Sequence, residues 1–418
     1  MFRKFFKSLK KAARPLFLLL VLLSSIACFP LAASASSSKA HARAAIMIDQ
    51  KTGQVLYSKN ATKRYPVASC IKILTLLVIE DDIAHHRLSW NQKIKISKAT
   101  AKMSTNWRFS NVELLAGHSY TVKALVESMM LVSADGSTEA LALASAGSTK
   151  AFNKKMQRMA HKAGVTDAKI YNMIGLSNGE LGKHGLSGVK SSAENLVSAK
   201  DMAKIAAYLL NHYPSVTKIT STKTKSFKIS SSQEYSMTNI NSMLPSNGVE
   251  ATNGTIDGLK TGSTDKAGYC FVGSGTFSGR RVITVVLHVP GNYSNQFTQT
   301  QNMINIVLNR SQPVKLSGVS QLSTAVRSAL VAHGKKKHTG VKVKSTTVWV
   351  PTSLANKHKW SASLKLSSKL VTITHRKLRA PIKKGERIGT ITIHLKGMPD
   401  FKLPAYATRT VKKTSHWW

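Results

Sequence analysis

Tyr65-Pro66-Val67-Ala68-Ser69-Cys70-Ile71-Lys72-Ile73-Leu74-Thr75 decides how the rest of the chain is read. The stretch has the character of a buried helix at its opening. Pro66 suits entry from a strand into a helix, because its φ is fixed and it has no N–H to satisfy. Ile71, Ile73, Leu74, Leu76, Leu77, Val78 and Ile79 make the segment apolar nearly all round, the pattern of a core helix. Ser69 and Lys72 are three apart, so a helix puts them on one face, a turn from each other. A serine hydroxyl is a poor nucleophile until a base takes its proton. A lysine amine serves as that base when burial and cationic neighbours keep it neutral. The same spacing recurs at Ser8–Lys11, Ser36–Lys39 and Ser187–Lys190, where two surface polar residues are the plainer reading. Apolar helical context sets Ser69 apart.

With 418 residues the chain has room for one large domain and a smaller one. Lys and Arg number 61 against 18 Asp and Glu, a formal net charge of +43 that predicts attraction to polyanions. Nucleic acid is the usual partner for such a charge, but the N-terminus points elsewhere. Six basic residues between Arg3 and Arg14 precede the apolar run 15–23, and Ala33-Ser34-Ala35 follows. That is the order of a secretory signal peptide, with cleavage expected after Ala35, and it excludes nucleic acid as the expected partner. The polyanions outside the cytoplasm are wall polymers and lipid head groups. Cys70 and Cys270 remain after the signal, too few for a disulfide framework, and two buried free thiols are expected. His85 and His86 are adjacent and read as surface; no stretch has metal-ligand spacing.

Ala44–Asp49 and Gln54–Ser58 read as a hairpin about the Lys51-Thr52-Gly53 turn. Helices are expected over Tyr120–Met130, with Thr121 as a possible cap, and over Glu139–Ala146, Thr149–Ala163, Ser191–Tyr208 and Gln296–Arg310. A Gly/Ser/Asn-rich loop covers 172–189, and Lys218–Ser230 reads as a twisted hairpin. Asp257–Gly262, Gly268–Gly275 and Arg280–Val289 read as successive antiparallel strands. Composition shifts near Ser311. Beyond it, strands at Val341–Val350, Leu364–Leu366, Val371–Thr374 and Ile388–Leu395 make a small all-β module.

Three motifs stand in order: Ser69-x-x-Lys72, Ser133-x-Asp135 and Lys260-Thr261-Gly262. A closely similar trio marks penicillin-binding proteins and serine β-lactamases. With their flanks (Ala44–Tyr57, Tyr65–Thr75, Tyr120–Asp135, Asp257–Val272), residues 44–310 resemble the low-molecular-weight penicillin-binding proteins, the serine D-alanyl-D-alanine carboxypeptidases. The segment around Ala380–Gly389 resembles that family's β domain more loosely. The resemblance implies an α+β fold: a transpeptidase-like domain over 36–312, with an antiparallel sheet flanked by helices, then a small all-β domain over 313–418. It implies that Ser69 is acylated by the terminal D-Ala-D-Ala bond of a peptidoglycan stem peptide, that Lys72 takes its proton, and that Ser133 relays a proton to the leaving amine. Lys260 and Thr261 would bind the terminal carboxylate, Gly262 would let the strand come close to the substrate backbone, and the N–H groups of Ser69 and Ser263 would form the oxyanion hole. No metal or organic cofactor is implied, and β-lactams would act as acylating inhibitors.

The chain departs from the family pattern at Asp135, where Asn is usual. An Asn amide both donates and accepts, whereas an ionised Asp only accepts and favours protonated Lys72, against its role as base. Activity is therefore expected to persist but at a reduced rate. Cys70, beside the nucleophile, is turned about 100° from it on a helix and is expected in the core. Family members often end in an amphipathic membrane helix; Ala405–Trp418 is short, with Lys412, Lys413, Trp417 and Trp418, and points to retention at the wall or membrane surface by charge. Two other functions share the features: a serine β-lactamase, for which no E-x-x-L-N stretch is found, and a catalytically weak wall-binding protein, favoured by Asp135.

Overall fold

The computed structural model describes residues 39–415, apart from 358, 373 and 375. The proposed signal segment and Trp417-Trp418 lie outside the described residues. The first strand, β1 (Ala44–Asp49), is buried throughout, and β2 (Val55–Lys59) returns from it as the expected hairpin. A single 3₁₀ turn, Ala68–Ile71, leads into α1 (Lys72–Ala84), so the quoted helix begins three residues after Ser69. A short helix that the periodicity did not reveal, α2 (Lys98–Ser104), is capped by Ser97. Thr121 caps α3 (Val122–Leu131) by accepting from the N–H of Ala124, as anticipated. The helices α4 (Asp135–Ala146) and α5 (Thr149–Lys162) follow. Gly136 lets α4 lie on α2, because a Cβ there would sit 2.7 Å from the Cβ of Ser104.

Three expectations are corrected. The helix placed over Ser191–Tyr208 is α6 (Ala199–His212), capped by Ser198. Its forecast start is spent otherwise: Leu196–Ser198 pairs as a strand with Arg64–Pro66, and Asn195 braces the loop before it. In Lys218–Ser230 only one arm of a hairpin is present, since Thr224–Lys228 pairs with Glu234–Thr238. Where Val371–Thr374 was expected as a strand, the described residues form none, and Val371 makes an isolated bridge to Leu378.

The long strands β3 (Gly254–Thr264), β4 (Gly268–Phe277) and β5 (Arg280–Val289) complete an antiparallel five-stranded sheet in the order β2-β1-β5-β4-β3. The edge strand β3 carries the third motif. Buried helix α1 lies against α4, α5 and α6, while α7 (Asn295–Arg310) packs on β4 and β5. Beyond it, the expected run Val341–Val350 divides into His338–Lys342 and Thr346–Pro351, which belong to different sheets. The six-stranded sheet also uses Ser328–Ala332 and Phe401–Ala407. Trp349 ties this part to the first hairpin: its indole N–H donates to Asp49 at 3.0 Å, and its backbone exchanges hydrogen bonds with the Gln54 side chain at 2.7 and 2.8 Å. Asp49 also accepts from Arg280.

Candidate active site

Ser69 is carried by the 3₁₀ turn Ala68–Ile71. Ser69 is half-buried, whereas Ala68, Cys70, Ile71 and Lys72 are buried. Ala68 has φ of +46°, and Ser133 has φ of +63°; both are left-handed positions that cost non-glycine residues energy and occur where the surroundings fix them. Lys72 has no solvent exposure, and four oxygens surround its Nζ: Ser69 Oγ at 2.8 Å, Asp135 Oδ1 at 2.7 Å, Ile174 O at 3.0 Å and Ser133 Oγ at 3.3 Å. A carboxylate and a carbonyl only accept. A neutral amine can give them its two N–H groups and keep its lone pair for the Ser69 hydroxyl. With the amine neutral the arrangement suits proton abstraction from Ser69, and the Asp135 charge works against that state by favouring the ammonium.

Asp135 opens α4, with its N–H on Ser110 O at 2.8 Å. Burial pushes its carboxyl above the ordinary range, although Lys72 beside it pulls the other way. Lys260 is also buried, with Nζ on Thr261 O at 3.0 Å. Burial first, and then the charge of Lys72, bring it down to about 7. Cys70 is in the core as expected, its Sγ near Lys260 O at 3.5 Å, and burial raises its thiol. Cys270 is a second buried free thiol. His85 and His86 are exposed, and Lys51-Thr52-Gly53 is the hairpin turn.

Gly262 has a steric reason within the fold as well. Its missing Cβ faces the nucleophile's turn: a methyl there would lie 2.8 Å from Cys70 N and 2.9 Å from Ser69 N. Glycine thus lets β3 seat directly on the turn. Behind the turn stands Gly175, whose φ is +104° and whose Cβ would fall 2.2 Å from Ala68 O. Composition marked this stretch as a loop but gave it no part in the site. Asn172 Oδ1 accepts from Ile174 N and Gly175 N at 3.1 and 2.7 Å, Asn195 Oδ1 accepts from Tyr171 N and Asn172 N, and Thr75 donates to Met173 O. Asn172 with a glycine three residues on was the available signal. Among the described residues no group of His, Cys, Asp and Glu could hold a metal ion.

The family described as D-alanyl-D-alanine carboxypeptidase, peptidase S11, matches residues 31–291. The chain belongs to this peptidase family. Residues 320–413 match the C-terminal domain of penicillin-binding protein 5. The carboxypeptidase DacF of Bacillus subtilis is 28% identical over 90% of this chain and 88% of its own length. DacC of Escherichia coli is 25% identical over 89% of this chain and 84% of its own. Among solved structures, PBP3 of Streptococcus pneumoniae, described as a peptidoglycan synthesis regulatory factor, is 27% identical with a TM-score of 0.66, covering 89% of this chain and 99% of that one. Penicillin-binding protein 5 of Haemophilus influenzae shares the fold, at 21% identity and a TM-score of 0.69 over 90% of this chain and 98% of that one. The chain thus has the family's α+β architecture with an all-β C-terminal part, and it is a serine peptidase of peptidoglycan metabolism.

Proposed function

We propose that this S11 peptidase removes the terminal D-alanine from peptidoglycan stem pentapeptides through an acyl-enzyme on Ser69. The observation that carries this reading is Lys72 Nζ, at 2.8 Å from Ser69 Oγ and fully enclosed, beside an edge strand that presents Lys260 and Thr261. Ser69 attacks the carbonyl of the penultimate D-alanine as its proton passes to Lys72. The oxyanion is met by the N–H groups of Ser69 and Ser263. Ser133 delivers a proton to the leaving amine, and water then releases the trimmed tetrapeptide. Lys260 and Thr261 hold the terminal carboxylate; an arriving anion favours the charged form of Lys260. Asp135 slows the first step by favouring protonated Lys72.

β-Lactams acylate the same serine in this reading. A relative of known structure, penicillin-binding protein D2 of Listeria monocytogenes, 25% identical, is described in an ampicillin-bound form. The catalytic part spans 36–312 and the β part 313–418. The enzyme is exported by the segment 1–35 and is retained at the wall or membrane surface by its +43 charge.

The test pairs labelling by a fluorescent penicillin with D-alanine release from a diacetyl-Lys-D-Ala-D-Ala substrate. The parent gives both, and Ser69→Ala gives neither. Label on Ser69→Ala, or rapid nitrocefin turnover by the parent without D-alanine release, would replace this reading by another nucleophile or by a β-lactamase.

A further inference from the structure

The charge of the β part is not spread evenly. Backbone pairing gathers three segments at one end of the six-stranded sheet. The stretch 411–413 lies in the middle. On one side Lys335 N donates to Lys412 O at 2.9 Å, and Gly334 bridges Lys413. On the other, Val411 and Ile382 exchange N–H···O bonds at 2.8 and 2.9 Å, and Lys384 N reaches the Thr410 hydroxyl at 3.1 Å. Lys335-Lys336-Lys337, Lys383-Lys384 and Lys412-Lys413 are thereby held on neighbouring chains, about 5 Å apart strand to strand. All seven are exposed. The acid in this neighbourhood, Glu386, is turned onto the backbone N–H of Lys383 at 2.8 Å. Cations set closer together than a Debye length, about 10 Å at 0.1 M salt, repel one another unless an anion lies across them.

We propose that this lysine patch is a binding surface for a linear phosphodiester polymer, such as a poly(glycerol phosphate) of the wall. The inference rests on the wall-facing reading given above and adds where the polymer lies. The charges run along three chain segments and do not converge on one point, which suits an extended polyanion better than a single small anion. Lysine's compact charge on a flexible stem follows irregularly spaced phosphates without needing a fixed fork. A lipid surface fits less well. Among the described residues of the β part the large apolar side chain that is exposed is Leu330, at 42%, which gives these described segments no hydrophobic face to enter a bilayer.

The experiment measures binding of the full chain to purified poly(glycerol phosphate) and to phosphatidylglycerol vesicles across a salt series. Three proteins are compared: the parent, a patch variant (Lys335, Lys336, Lys337, Lys383 and Lys384→Gln), and an equal-charge control (Lys315, Lys342, Lys365, Lys369 and Lys402→Gln). The expected result is polymer binding by the parent. The patch variant binds at least about 100-fold more weakly at 0.1 M salt, its log K against log salt slope shallower by about three, whereas the control loses less than tenfold. Penicillin labelling of all three is unchanged, which shows that each is folded. Equal losses in patch and control variants would overturn the patch and leave retention by overall charge standing. No polymer binding by the parent would overturn both. Binding to vesicles alone would overturn the choice of partner.

Discussion

Replacing Asp135 by Asn should speed the acylation of Ser69. Asp135 Oδ1 is 2.7 Å from Lys72 Nζ, with side-chain exposures of 4% and 0%. A full charge pair at that distance is worth about 1.5 kcal/mol in water and about 6 kcal/mol at an effective dielectric of 20. Part of that is already cancelled, since burial raises the Asp135 carboxyl and weakens its ionised form. A working figure near the low end, about 1.5–3 kcal/mol, is the stabilisation the ammonium form of Lys72 loses on substitution. Each 1.4 kcal/mol is about tenfold in the fraction of free amine. The Asn carbonyl can still accept from Lys72, and its NH₂ becomes a new donor toward the substrate. The second-order rate of acylation by a fluorescent penicillin at pH 7 should therefore rise about 10- to 100-fold. The acid limb of the pH–rate profile should move to lower pH. An unchanged rate with an unmoved limb would refute the reasoning, and a slower variant would show that the carboxylate itself is required. A melting curve on both proteins separates this from a change in stability.

Three further outcomes follow from the same geometry. Gly262→Ala should fold but acylate at least about 100-fold more slowly, because its Cβ would crowd Cys70 N and Ser69 N and displace the nucleophile; parent-like labelling would show that the turn yields. Lys260→Met should change the pH dependence of stability. Between about 7, where the folded lysine titrates, and its ordinary 10.5, the unfolded chain holds a proton that the folded one lacks, so this group makes the parent more stable as pH rises. Melting temperatures from pH 7 to 10 should thus rise more in the parent than in Lys260→Met, and parallel curves would contradict the buried lysine. Glu80 is the opposite case: burial raises it to about 7, and its Oε1 has no partner. Between 4.5 and 7 the folded state holds the extra proton, so stability is lost as pH rises; Glu80→Gln should raise the melting temperature at pH 8 and leave it nearly unchanged at pH 4.5.

The motifs were readable because each is local. Ser69 and Lys72 share a face through spacing alone, Thr121 announces its helix by hydroxyl chemistry, and the apolar run after Ser69 has no reason to exist outside a core. The antiparallel strands from Gly254 to Val289 follow from short turns between β-rich runs. What failed depended mainly on distant partners. Lys98–Ser104 is a helix because it packs on α4 at Gly136, and residues 191–198 are not helical because Arg64–Pro66 and the 171–172 backbone claim them. Spacing could place Gly262 in the site but not show that its missing Cβ also faces the Ser69 turn. A Cβ in its place would press on the serine's turn, a fact of two segments about 190 residues apart. The four oxygens about Lys72 come from three separate segments of chain, and only their convergence in a space closed to water determines how that amine shares its protons.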